Sequence, residues 1–359
     1  MPGTSSSLPA PQASARPQRV LLLGATGTIG RATLAALLRR GYAVVCFVRD
    51  AGVRDGGVRD AGVRDGRGLG ARLSAKSRIE ALAGAELRFV DVLDPRSLTT
   101  EGFRGERFDA LISCMASRTG APRDAWAVDY RAHVNLLKAA QACGVAHFVL
   151  LSAICVQRPL LAFQHAKLAF EKLLIESGMR YSIVRATAFF KSLSGQVERV
   201  KKGRPFLMFG NGELTACKPI SDRDLADFLA ACLLEESRWN RVLPIGGPGG
   251  AVTPLQQGEH LFALLGRAPR LRRIPVALLD AIIRVLGAVG RVVPAVADKA
   301  ELARIGRYYA TESMLVLNPE TGRYDAAATP STGTETLFDF YAGLVNGEAA
   351  PERGDHAVF

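Results

Sequence analysis

Residues 19–30 read Arg19-Val-Leu-Leu-Leu-Gly-Ala-Thr-Gly-Thr-Ile-Gly30. The apolar run after Arg19 has the pattern of a strand buried on both faces of a parallel sheet. Gly24 follows it at once, and a helical pattern with Leu34, Leu37 and Leu38 on one face follows Gly30. The glycines therefore stand where a strand turns into a helix. There they let the backbone approach a pyrophosphate held at the helix N-terminus. Gly24, Thr26, Gly27, Thr28, Ile29 and Gly30 are the expected contacts of that turn.

The second strand is Ala43–Val48, followed by Arg49 and Asp50. Enzymes that use NAD place an acidic residue at this strand end, on the ribose 2′-hydroxyl. An arginine there can pair with a 2′-phosphate through two parallel hydrogen bonds. The reading favours NADPH as cofactor, with Arg49 on its 2′-phosphate; the plain alternative is an ordinary surface arginine. The tripeptide Val-Arg-Asp then recurs at 48–50, 53–55, 58–60 and 63–65. A period of five is too short for a repeat architecture and too rich in glycine for a core. Residues 50–70 are expected to form a flexible loop.

Further strands are expected at Glu86 to Val90, at Ala110 into Ser117 and at His147 to Ser152, with a helix over Trp126 to Ala142. Such alternation implies a Rossmann-type doubly wound α/β sheet. The GxxGxxG spacing resembles that of the extended and atypical short-chain dehydrogenases/reductases. That resemblance puts Asp91 and Val92 along the adenine, and Cys114 and Ala116 near the cofactor at the end of the fourth strand. The expected organisation is a disordered tail over 1–18, a cofactor-binding domain over 19–188, and a smaller C-terminal substrate-binding lobe over 189–359. Segments of that lobe are expected to return to the Rossmann core.

The stretch Ser152-Ala-Ile-Cys-Val-Gln-Arg-Pro-Leu-Leu-Ala-Phe163-Gln-His-Ala-Lys167 resembles the catalytic segment of that superfamily. Ser152 falls at the catalytic serine position. Lys167 falls at the position of the lysine that holds the nicotinamide ribose and lowers a tyrosine's pKa. Phe163 stands where the proton-donating tyrosine is usual.

The resemblance narrows over longer blocks: Leu150 through Leu161, Arg185-Ala-Thr-Ala-Phe-Phe-Lys-Ser-Leu193, Ala216-Cys-Lys-Pro-Ile-Ser221, Thr253-Pro-Leu-Gln-Gln-Gly-Glu259 and Ile305-Gly-Arg-Tyr-Tyr-Ala310. These resemble the NADPH-dependent, ferredoxin-independent divinyl chlorophyllide (or protochlorophyllide) 8-vinyl reductases, from about Arg19 to the terminal His-Ala-Val-Phe. Two departures are the expanded Val-Arg-Asp repeat and Ala186, where a proline is expected. The resemblance implies reduction of an 8-vinyl group to ethyl on a tetrapyrrole, in chlorophyll or bacteriochlorophyll synthesis. It also implies a location in the cytoplasm of a phototrophic bacterium, peripheral to membrane, or in a chloroplast.

Such chemistry accounts for Phe163. Carbonyl reduction builds charge on one oxygen that a hydroxyl must meet. Hydride addition to a conjugated vinyl group spreads charge over the macrocycle, and an apolar ring at 163 can pack on the flat substrate. Simple core packing is the plain alternative. Water, His165 and Lys167 are the candidate proton donors. Phe189 and Phe190 open the substrate lobe as candidate contacts. Arg185, Lys191 and Lys218 are candidate cations for a substrate propionate. Ile274 to Arg291 form the most apolar helix candidate, with Asp280 and Arg284 spaced to pair. That helix suits a buried element, a greasy pocket wall or a membrane-touching surface.

The chain's 359 residues, 48% hydrophobic and 22% charged, describe a globular protein. Its net charge of +12 favours anionic partners. The basic residues are scattered without interleaved aromatics, which argues against nucleic acid. The six cysteines form no CxxC pair, so buried free thiols are expected and no metal. Two other functions fit less of the sequence: a phenylpropanoid-type double-bond reductase, and a non-catalytic nucleotide sensor or assembly subunit.

Overall fold

The computed structural model describes residues 19–49, 80–291 and 293–348. The expected tail, the Val-Arg-Asp loop with Asp50, and the terminal His-Ala-Val-Phe lie outside the described residues.

Strands β1 (Arg19–Leu23), β2 (Ala43–Val48), β3 (Glu86–Phe89), β4 (Ala110–Ser113), β5 (His147–Ala153), β6 (Arg180–Ala186) and β8 (Arg241–Ile245) make one sheet. Its order is β3-β2-β1-β4-β5-β6-β8, and every pairing is parallel. This is the doubly wound Rossmann-type sheet. On β1, side chains alternate between two cores. Val20 and Leu22 join the face covered by α1 (Thr28–Arg39) and α4 (Asp222–Ala231). Leu21 and Leu23 join the face covered by α2 (His133–Ala142) and α3 (Ala162–Glu176). Burial on both sides is why the strand reads as an unbroken apolar run rather than an alternating one.

A second, two-stranded parallel sheet pairs β7 (Phe206–Phe209) with β9 (Leu271–Ile274). With α5 (Pro254–Leu264) and α8 (Leu337–Asn346) it encloses a separate core around Phe206, Phe262, Leu337 and Tyr341. Helices α6 (Val276–Gly290) and α7 (Pro294–Thr311) pack on each other.

Several boundaries differ from the sequence reading. The helix expected over 126–142 opens as a wide π turn, Trp126–Ala132, before α2 begins. Strand β4 stops at Ser113, because from Cys114 the chain leaves the sheet to pass over Gly24. In α6 no residue is buried, so it is not the buried helix its composition allowed. Asp280 does not pair with Arg284; its carboxylate takes a hydrogen bond from Arg307 on α7.

Candidate functional site

The site lies beyond the carboxyl ends of the parallel strands, where such sheets bind their ligands. Gly24 adopts φ 74°, and a Cβ there would sit 2.6 Å from the Cys114 carbonyl carbon. A Cβ on Gly30 would sit 2.0 Å from the Gly24 oxygen. Glycine is thus required at both positions, and the turn stays flush against α1. Gly27 caps α1 with no side-chain hydrogen bond, and no acidic residue stands in the first turn. That leaves the helix N-terminus suited to a phosphate. Thr26 and Gly27 are exposed, Thr28 is half-buried and Ile29 is buried beneath them. The cradle therefore fits a dinucleotide.

Arg49 is exposed at the end of β2, as is Asp91 after β3. Asp91 Oδ1 accepts from Leu93 N at 2.9 Å, and Asn135 holds the Leu93 carbonyl at 3.1 Å, which fixes the half-buried Val92 between them. Cys114 Sγ lies 3.7 Å from Thr33 Oγ1, and burial pushes its thiol up to about 12. All six cysteines are free.

A mainly apolar cavity of about 350 Å³ opens next to this turn, lined by Ala116, Phe163, Lys167, Phe189, Met208 and Tyr309 among others. Such a volume is in the range of small-molecule sites. Lys167 is the single cation among the described lining residues. Its Nζ donates to Asp129 Oδ1 at 2.9 Å. Asp129 is buried, also accepts from Ser117 N at 3.2 Å, and its Oδ2 has no hydrogen-bond partner among the described residues. Next to it, His133 Nδ1 meets the Val128 carbonyl and Nε2 meets Ser113 Oγ. Burial, helped by the Lys167 charge, holds this imidazole down at about 4, so it stays neutral near pH 7.

Ser152 faces away from the cavity. Its Oγ donates to Glu171 Oε1 at 2.5 Å, and Arg185 reaches Glu171 Oε2 through Nε at 3.1 Å and Nη2 at 2.5 Å. The three tie β5, α3 and β6 together. Neither Ser152, the expected catalytic serine, nor Arg185, an expected propionate cation, lines the cavity; the two meet at Glu171 instead. Phe190 is likewise a core residue, its ring 5.5 Å from Phe340. Lys191 Nζ donates to Thr28 Oγ1 at 2.8 Å and so belongs to the phosphate turn rather than to the cavity. Lys218 binds the Thr329 carbonyl at 2.8 Å. His165 is exposed and does not line the cavity.

The sequence reading missed Asp129, Glu171 and Tyr309. Each lies far along the chain from the residue it serves, and no spacing rule links them. The only available signal was acidic or tyrosine residues inside otherwise apolar helical patterns.

A family profile described as NAD(P)H-binding matches residues 58–236. The chain is 47% identical to the chloroplastic divinyl chlorophyllide a 8-vinyl-reductase of Zea mays, over 98% of this chain and 88% of that protein. It is 48% identical to the protein of the same description in Oryza sativa subsp. indica, over 100% of this chain and 86% of that one. Among solved structures, AtPrR2 with NADP+ and (+)pinoresinol superimposes with a TM-score of 0.63 at 14% identity, covering 91% of this chain and 99% of that one. At that identity the likeness speaks for the fold alone.

Proposed function

The chain belongs to the divinyl chlorophyllide a 8-vinyl-reductase family, and from that premise we propose that it reduces the 8-vinyl group of divinyl chlorophyllide or protochlorophyllide to ethyl. It is an oxidoreductase of chlorophyll or bacteriochlorophyll synthesis. One observation carries the reading. Lys167 stands in place beside a phenylalanine, not a tyrosine, and both face a mainly apolar cavity next to a dinucleotide turn. A carbonyl reductase would need a hydroxyl at 163, whereas a vinyl reductase has no oxygen to protonate. When bound, the nicotinamide supplies the hydride. In this reading Lys167 holds the adjoining ribose, and Phe163 packs against the macrocycle edge. Purified protein, NADPH and divinyl chlorophyllide should give the monovinyl pigment on chromatography; no conversion would sink the reading.

The preferred cofactor is NADPH, supported by Arg49 at the end of β2. Arg49→Ala should raise the KM for NADPH far more than for NADH, since losing one charged hydrogen bond costs about 1.5–3 kcal/mol. Equal changes for both cofactors would count against a 2′-phosphate contact. Arg54 in the repeat could substitute for Arg49, so the same assay belongs in a loop-deleted protein.

Contact with an anionic lipid surface goes with this function. No helix of the described residues is long and apolar enough to cross a membrane. On α6, however, Leu278, Ile282, Val285 and Val289 form one stripe, with Leu278 52% and Val285 63% exposed. Arg272, Arg273, Arg284 and Arg291 stand exposed around it. Residues 267–307 carry nine Lys and Arg against three Asp and Glu. An apolar face edged by arginines suits the boundary of acidic headgroups and acyl chains. The protein should sediment with phosphatidylglycerol vesicles and not with pure phosphatidylcholine, and Val285→Glu should release it. The same reading puts it beside pigment-bearing membranes, in the cytoplasm of a phototrophic bacterium or in a chloroplast.

A further inference from the structure

We infer that Tyr309 supplies the proton that completes vinyl reduction, from the cavity wall formed by α7; the inference rests on the vinyl-reductase reading above. Tyr309 lines the same cavity as Phe163 and Lys167. It is 41% exposed, although its helix neighbour Tyr308 is buried. The two rings stand edge to face, 5.7 Å apart, so the adjacent phenols point differently. Tyr308 spends its hydroxyl on the carbonyls of Cys155 and Arg158, at 2.9 and 3.2 Å. Cys155 also lines the cavity, and its thiol neighbours the Tyr309 phenol.

The other acidic groups around the cavity are less able to serve. Lys167 is engaged with Asp129. Glu312 is paired with Arg158 and accepts from Tyr324, so its carboxylate is already engaged. The Cys155 thiol is buried, and burial raises it above its usual range. Tyr309 keeps its proton at neutral pH, because a phenol ionises only at about 10 in water, and the partly exposed ring has its hydroxyl end turned inward, where desolvation shifts it further the same way. A weak acid of this kind suits a basic carbon centre and does not leak protons beforehand.

The step balances. Hydride brings two electrons to the terminal vinyl carbon and forms its C–H bond, while the π pair moves onto the inner carbon and the conjugated ring. The Tyr309 O–H bond breaks, and its proton forms the second C–H bond at the inner carbon. Water at the cavity mouth returns a proton to the phenolate. The sum consumes one NADPH and one proton for each vinyl group reduced. Removing Phe163's hydroxyl-bearing counterpart thus leaves the proton-donating role in the cavity, moved from α3 to α7.

The test compares Tyr309→Phe with the unaltered protein in the presence of NADPH and divinyl chlorophyllide. The change removes one oxygen and keeps the ring, so Tm and the Kd of both ligands should hold. General acid catalysis contributes about 10²–10⁴-fold, so kcat should fall by at least about 10²-fold. Such a fall with Kd and Tm held supports the assignment. A kcat near that of the unaltered protein overturns it, as does a loss of activity matched by a loss of pigment binding. If the unaltered protein itself fails to reduce the vinyl group, the functional reading fails first and this inference goes with it.

Discussion

Replacing Glu171 with alanine is expected to destabilise the protein by about 3–5 kcal/mol, the cost typical of breaking a buried ion pair on one side. The carboxylate is 2% exposed. It receives the Ser152 hydroxyl and two nitrogens of Arg185. Truncation leaves that guanidinium and that hydroxyl without their acceptor, at a place where α3 grips both β5 and β6. Glu171→Gln should cost less, because it keeps an oxygen for one of the donors. Urea unfolding measures this directly: the midpoint should fall while the slope stays constant. A loss below about 1 kcal/mol would show that water screens the pair as it does at a surface. The same experiment separates two views of Ser152. If the serine serves only this triad, Ser152→Ala should lower stability and leave kcat near normal.

Lys167→Ala is expected to damage both turnover and stability. One charged hydrogen bond to the ribose is worth about 1.5–3 kcal/mol, so kcat/KM should fall by about 10–150-fold, with weaker NADPH binding. The fold should weaken too, because the buried Asp129 carboxyl would lose the cation that bonds it. A second substitution distinguishes the two losses. Asp129→Asn in the Lys167→Ala background should restore stability and leave activity low. Near-normal kcat/KM in the single variant would reduce Lys167 to a partner of Asp129. Calorimetry and pigment chromatography on the same preparations decide the matter.

The sheet was legible because its signals are local. An apolar run, three spaced glycines and a helical pattern within twenty residues leave few other folds, and GxxGxxG pins the turn. Lys167 and Phe163 were legible for the same reason, being four residues apart on one helix. The partners of these residues were not. Asp129 reaches Lys167 from 38 positions away, inside a π turn that helical periodicity does not anticipate. Arg185 looked available to a substrate because a sequence shows its charge and not the buried Glu171 that takes it. Helix α6 showed its apolarity in the sequence, but only the packing shows that α7 leaves the Leu278, Ile282, Val285 and Val289 side exposed. Tyr309 stands among residues that carry the family resemblance, but its place in the cavity wall depends on a fold that brings it to Phe163 from 146 positions away.

The return of the later chain to the sheet bears on how this molecule could be divided. Strand β8 comes from within the later chain, after β7, and seals the side of β6, with Ile183 opposite Val242. Helix α4, from the same stretch, lies across α1, where Arg39 and Arg40 both reach Asp227. A fragment ending near residue 188 would therefore expose β6 as a bare hydrogen-bonding edge and strip an apolar cover from α1. Bare edges recruit other strands. For a ribosome making this chain, the cofactor-binding half is not a finished product when it emerges. It must wait for nearly sixty more residues, and any cell that makes the protein has to keep that half from aggregating in the interval.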